Sequence, residues 1–228
     1  MRWRARSDIE EARQIVPMFD EPWWAVVVYS CFNSKVGTVC ATSGFRSPVP
    51  LDHLDDAIRL LELPPGAVGM HRIQPGHIGA KRALRSACAK ADAIRAILHN
   101  GTGFHDRYIR LRALNAASWG RTTCYDMLLR SGALGTAEGA MYEPEYAYLD
   151  DSTGPSRGFT AIWGTPIDAT NALWCEELLS WWSTHWEAIS KRVDATSCPQ
   201  PAYRPADFEN ALCLYQDELR AESRPGRR

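Results

Sequence analysis

Apolar positions along the chain recur mostly at three- and four-residue intervals, so the pattern predicts helices from end to end. Asp8 is placed to cap a short helix that runs through Val16 and stops at Pro17. Pro22 then opens WWAVVVYSCFNSKVGTVCATSGF, and proline favours the first position of a helix. A valine-rich run of this kind also suits a buried strand; its length of about twenty residues without alternation favours one buried helix. Leu51, Leu54, Ile58 and Leu61 keep helical spacing until Pro64-Pro65-Gly66. After a Gly/Pro-rich loop over 64–79, Leu84, Ala87, Cys88, Ala91, Ile94 and Leu98 mark one face of a long amphipathic helix. Its other face carries Lys81, Arg82, Arg85, Lys90 and Arg95, and Asn100-Gly101 ends it. Two shorter helices follow, Arg107–Leu114 and Arg121–Ser131, separated by a break over Asn115–Gly120 and closed by Gly132. Later helices are expected around 169–193 and 205–222. In the first, Trp174, Leu178, Trp181, Trp182, His185 and Ile189 form a stripe read as core. With no repeat and no linker, residues 1–222 read as a single all-α domain and 223–228 as a solvated tail.

Composition adds little to that picture until charge is mapped. The 228 residues are 45% hydrophobic and 23% charged, ordinary for a globular protein. No run approaches the ~18 apolar residues of a membrane helix. The opening MRWRARSDIEEAR has no apolar stretch of the secretory kind, so the cytoplasm is the expected location and no membrane partner is expected. The seven cysteines (31, 40, 88, 124, 175, 198 and 213) are scattered without a CxxC pair, and His71 and His77 lie six apart in a loop. Neither set predicts a disulfide framework, a metal or a cofactor. Net charge is −1, yet residues 71–130 carry eleven Lys or Arg against three acids, a net of +8. Residues 138–151 hold five acids and no base. Segregation of this kind points to a polyanionic partner on one face, or to a solvated face balanced by acids elsewhere in the fold.

The segment from Leu111 to Tyr125, LRALNAASWGRTTCY, places a tight turn between two short helices. It resembles the helix-hairpin-helix of DNA glycosylases and their relatives, with Gly120 at the second glycine of the family's Leu-x-Gly-x-Gly and Ser118 at the first. The resemblance implies a glycosylase-like helical fold, with the hairpin near 108–131. Backbone N–H groups at the second helix would meet a phosphate of double-stranded DNA. Trp119, Gly120, Arg121, Thr122 and Thr123 would then be DNA-binding, joined by Arg82 and Arg85. Thr122 stands where some members carry a lysine, which excludes Schiff-base lyase chemistry, and Asp150 or Asp151 would be the catalytic carboxylate.

A second resemblance spans nearly the whole chain. Cys31-Phe32-Asn33, Gly154-Pro155-Ser156-Arg157-Gly158 and Asp207-Phe-Glu-Asn-Ala-Leu-Cys213-Leu-Tyr215 occur in the order of three motifs of the α-glutamyl/putrescinyl thymine pyrophosphorylases. These amino acid:DNA transferases serve phage thymine hypermodification and are related to the glycosylases. Leu214 stands where that family has an acid. This resemblance implies transfer of a small amine or amino-acid co-substrate onto an activated phospho- or pyrophosphomethyl uracil in DNA. Catalytic Arg157 would hold the leaving phosphate and catalytic Asp150 or Asp151 would take the amine proton. Asn33, Lys35 and Glu209 would bind substrate. A monofunctional glycosylase and a non-catalytic DNA-binding module are the alternatives.

Overall fold

The computed structural model describes residues 4–69, 76–136, 144–190, 209, 211–213 and 215–216. Among them regular structure is entirely helical, as the periodicity predicts. The backbone groups into two compact units, 1–143 and 144–228.

The first unit is built around a helix that is buried along its whole length. α1 (Arg4–Ile15) runs into a 3₁₀ turn (Val16–Met18), followed by α2 (Pro22–Phe32) and α3 (Lys35–Phe45). Residues 23–32 of α2 are all buried, which an all-round apolar sequence requires. α4 (Leu51–Leu60), α5 (Gly76–Ala89), α6 (Ala91–Asn100), α7 (Phe104–Ala113) and α8 (Arg121–Leu134) complete the unit. α2 packs on α1, α3, α5 and α8, and α7 packs on α8. Trp24, with no exposed surface, satisfies its indole by donating to the Phe45 carbonyl at 2.9 Å.

Four expectations of the periodicity need correction. α1 begins at Arg4, so Asp8 lies inside it and caps nothing. The run from Pro22 is two helices: Asn33 adopts a left-handed conformation (φ 50°, ψ 38°), which asparagine tolerates, and Ser34 is extended. The long basic helix is also two, because Lys90 leaves the helical region (φ −121°, ψ 16°) between α5 and α6. Finally, α8 passes through Gly132 and ends at Gly135, the glycine that takes the left-handed φ of 60°.

The second unit comprises an irregular segment over 144–149, a turn, α9 (Gly154–Trp163), α10 (Ala172–Ser190) and the helical residues 209, 211–213 and 215–216. Ala147, Leu149, Phe159, Cys175, Leu179 and Leu212 form its core, flanked by Trp163, Ile167, Leu178 and Trp182. Phe159 stacks on Trp163 at 4.3 Å, and Trp163 meets Trp182 edge-on at 5.8 Å. Asp168 and Asn171 cap the entry to α10 reciprocally: the Asp168 N–H donates to Asn171 Oδ1 at 2.9 Å and the Asn171 N–H to Asp168 Oδ1 at 3.3 Å. The aromatic stripe read as core divides here. Trp182 and Leu178 pack inward, but Trp174 and Trp181 are 51% and 52% exposed and Trp181 stacks on exposed His185. The buried face follows Cys175 and Leu179, about 100° around the helix from Trp174.

Candidate functional site

Two of the three family-like motifs meet in the second unit. Gly154 and Gly158 lie one turn apart on α9, facing the last helical segment. A Cβ at Gly158 would sit 2.1 Å from the Leu212 carbonyl oxygen, and one at Gly154 would sit 2.7 Å from Cys213 Sγ. At Gly158, where the obstacle is backbone, only glycine allows the helices this close. The segment 154–158 is helical: Pro155 starts a helix well, and the glycines serve helix packing. Arg157 lies between them in sequence, exposed and without a partner among the described residues. Glu209, half-buried, lies four residues before Cys213 in the segment those glycines contact.

Asp150 and Asp151 occupy the exposed turn leading into α9, within seven residues of Arg157 in sequence. Asp150 Oδ1 accepts from the Asp151 N–H at 3.0 Å. Neither aspartate is the N-cap of α9; Thr153 holds that place without a side-chain hydrogen bond. The approach to the aspartates is fixed by Glu176 of α10, whose two carboxylate oxygens accept from the Ala147 and Leu149 N–H groups, both at 2.7 Å. Tyr148, between those two amides, is held at φ 53°, a left-handed conformation unusual for an aromatic residue. Glu176 was not legible in the sequence, although it stands next to Cys175 of the buried face.

In the first unit, Asn33 belongs to a polar cluster beneath the α2–α3 corner. Arg130 of α8, only 4% exposed, donates to Asn33 Oδ1 at 2.5 Å and to Ser30 Oγ at 3.2 Å. Its guanidinium lies 4.8 Å from the Tyr29 ring centre and 3.7 Å from Asp126 Oδ2. Tyr29 in turn donates to Glu11 at 3.0 Å. Arg130 was the second residue missed. A signal existed, since it sits one turn from buried Met127 and beside buried Ser131. Lys35, half-buried, donates to Gln14.

The α7–α8 connection has the hairpin's outline with a different use of its residues. Asn115 and Ser118 take left-handed φ values of 48° and 64°, so Ser118 adopts the conformation that a glycine at its position would supply. Gly120 is extended at φ −88°, and a Cβ there would meet nothing within 4 Å. Ser86 Oγ of α5 accepts the Ala117 N–H at 2.9 Å and ties the turn down. No side chain caps the start of α8, where Thr122 is exposed and Thr123 half-buried. Two expected DNA contacts are placed differently. Trp119 is buried, and Arg121 is 7% exposed with its guanidinium 4.6 Å from the Tyr125 ring centre. The cation stays inside because the α7–α8 aromatic cluster of Phe104, Tyr108 and Tyr125 offers it a ring face.

The basic segment is likewise partly consumed within the fold. Arg107 is buried and donates to the Leu98 and Gly103 carbonyls, each at 3.0 Å. Arg85 pairs with Asp55 at 2.7 Å, Arg95 with Glu21 at 3.0 Å and Arg110 with Asp106 at 3.4 Å. Lys81, Arg82 and Lys90 keep no partner among the described residues. Near Lys90 a cleft of about 480 Å³ is lined by Pro48, Pro50, Cys88, Asp92 and Leu114. Burial pushes the Cys88 thiol up to about 11. No three or more His, Cys, Asp or Glu side chains cluster to hold a metal among the described residues. None of the described helices is long and apolar enough to cross a membrane.

Comparison with protein-family models, with curated proteins and with solved structures finds no match to this chain.

Proposed function

We propose that the protein is a DNA-base-modifying transferase that joins a small amine or amino acid to an activated thymine derivative in double-stranded DNA. The amine nitrogen attacks the exocyclic carbon on C5 of a phospho- or pyrophosphomethyl uracil. As the new C–N bond forms, the C–O bond to the leaving group breaks, and the group departs as phosphate or pyrophosphate. Asp150 or Asp151 accepts the proton released by the amine, while Arg157 meets the growing charge on the departing oxygen. Lys35 and Glu209 serve substrate binding. Thr122 and Thr123, at the uncapped start of α8, approach a DNA phosphate, with Arg82 on the flanking helix.

The observation that carries this reading is the contact between two motifs some fifty residues apart in sequence. Gly154 and Gly158 press against Leu212 and Cys213, and the same α9 carries Arg157 exposed and unpartnered. The test is mass spectrometry of nucleosides from DNA co-expressed with this protein and a 5-hydroxymethyluracil kinase. An amine-bearing pyrimidine is the expected product, and Arg157→Ala should lower its yield by roughly 10²-fold with DNA binding kept. Alkali-labile abasic sites would instead establish the glycosylase alternative, for which no phosphate leaves the base and Arg157 matters little. Unmodified DNA with intact binding would leave only a binding module.

A further inference from the structure

We infer that the outer face of α10, formed by Trp174, Glu177 and Trp181, is a docking surface for an arginine-bearing segment of a partner protein. Guanidinium groups of that segment stack on the two indoles and pair with the carboxylate between them. The surface lies within the second unit and does not depend on the base-modification reading.

Residues 174, 177 and 181 are three and four apart, so their side chains share one face of the helix. The two rings stand about 10 Å apart along its axis. The opposite side of α10, carrying Cys175 and Leu179, packs in the core with Phe159 and Leu212, which leaves this face outside that core. Trp174 and Trp181 are each about half exposed, and Leu173 beside them is more so. Single exposed apolar residues are ordinary, but two indoles on one face make a patch of the kind that marks an interaction site. Trp181 is also braced. His185, one turn on, stacks on its ring at 4.2 Å and donates from Nδ1–H to the Trp181 carbonyl at 2.8 Å. An arriving ligand therefore meets a ring that is already ordered, which lowers the entropy lost on binding.

Charge selects the occupant. Glu177 is exposed and has no partner among the described residues. Over 144–190 seven carboxylates stand against one base, Arg157, a net of −6. Such a surface repels phosphate, whether of nucleic acid or of an anionic lipid surface. A second copy is disfavoured too, because the two-fold axis that sets Trp174 against Trp181 of the other copy also brings the two Glu177 side chains together. A cation meets no such obstacle: both indole faces and the carboxylate attract it. Arginine suits the site better than lysine, since its flat guanidinium lies on a ring while its fork reaches a carboxylate. An extended segment advances about 3.3 Å per residue, so arginines three apart match the spacing of the rings.

The probe is a fluorescein-labelled peptide of Arg-Gly-Gly repeats, titrated with the full chain and read by anisotropy, beside a Lys-Gly-Gly peptide of equal charge. The arginine peptide should bind in the sub-millimolar range, about threefold more tightly than the lysine one. Trp174→Ala and Trp181→Ala should each weaken it by about three- to fivefold. Glu177→Gln should weaken it by about two- to fivefold, whereas Asp52→Asn, an exposed acid on α4, should change nothing. Glu177→Gln removes no buried surface and carries the test if a tryptophan variant fails to fold. Absence of peptide binding overturns the inference. So does binding that ignores all three variants, which would be diffuse attraction to the acidic unit. A single-stranded oligonucleotide whose binding is lost in Trp181→Ala would show bases on the rings instead. Self-association dispersed by Trp181→Ala in sedimentation would show that the occupant is a second copy.

Discussion

Replacing Gly158 with alanine should destabilise the second unit, although the same change in a roomy helix interior stabilises. Alanine is favoured over glycine by about 1 kcal/mol through helix propensity alone. At Gly158 that gain meets a backbone obstacle: the added Cβ would lie 2.1 Å from the Leu212 oxygen and 2.7 Å from its carbonyl carbon. Neither atom can rotate away, so α9 and the last helical segment must separate by roughly 1 Å, loosening Phe159 against Leu212. Overpacking costs about 1–3 kcal/mol, and against backbone that cannot turn away the upper part of that range, about 2–3 kcal/mol, applies, leaving a net loss near 1–2 kcal/mol after the propensity gain. Gly154→Ala meets only Cys213 Sγ, at 2.7 Å, and that thiol can change rotamer; its net effect should be close to zero. Gly44→Ala is the control: Gly44 lies within α3, nothing comes within 4 Å of its Cβ position, and a gain of roughly 0.5–1 kcal/mol is expected. Urea titration followed by tryptophan emission, with Trp163 and Trp182 in the affected core, measures all three. The sign decides the matter. A Gly158→Ala protein as stable as wild type, or shifted upward with Gly44→Ala, would refute the close contact between the two motifs.

Three other outcomes follow from the structure. Glu176→Gln leaves one amide nitrogen facing a backbone N–H, so it should lower stability by about 1.5–3 kcal/mol and speed hydrogen exchange at Leu149; unchanged exchange would rule out the carboxylate clamp. With its thiol raised to about 11, Cys88 holds roughly a thousandth of its population as thiolate at pH 8, and should resist iodoacetamide far longer than half-buried Cys40; equal labelling rates would contradict its burial. Arg82→Ala should reduce the salt dependence of DNA binding by about one unit of slope without changing the melting point, while Arg121→Ala should lower the melting point because its guanidinium packs on Tyr125; the reverse pattern would show that the two exposures are misassigned.

The helical class was legible because apolar spacing depends on which side of a helix is buried, and that repeats along the chain. Where helices break is decided by single residues, and there the pattern misleads. Asn33 stops α2 inside an unbroken apolar run, because a left-handed asparagine requires no change in the composition around it. Lys90 breaks α5 from α6 while the apolar face continues through Cys88 and Ala91, so spacing alone carries no sign of the kink. At the end of α8 two glycines compete, and periodicity stops at Gly132; the chain goes on to Gly135, the one that adopts positive φ. The stripe on α10 failed for a different reason. Tryptophans at helical spacing define a face, but the neighbouring face of Cys175 and Leu179 is smaller and packs closer to Phe159, so the larger rings stay outside.

Charge was the least reliable guide to the site, because a sequence shows how many cations a segment has and nothing of what each one faces. Arg121 and Arg130 stand nine apart on α8 and were counted alike toward a basic surface, yet both are buried, one over Tyr125 and one over Tyr29. Each is an arginine whose flat guanidinium can lie on a ring, an option a lysine lacks in the same form. Arg85, Arg95 and Arg110 are exposed but meet Asp55, Glu21 and Asp106, and the first two of those acids lie outside the segment that had looked so one-sided. Lys81, Arg82 and Lys90 are what survives as a field toward solvent in the described part of that segment. A polyanion gripping three such cations would show a salt slope nearer −3 than the −7 that a net of +8 implies. The short motifs specify shape as well as charge. Gly154 and Gly158 are the surface on which α9 rests. A glycine pair one turn apart fixes where a helix lies, and the arginine between them gains its position from that fixed helix.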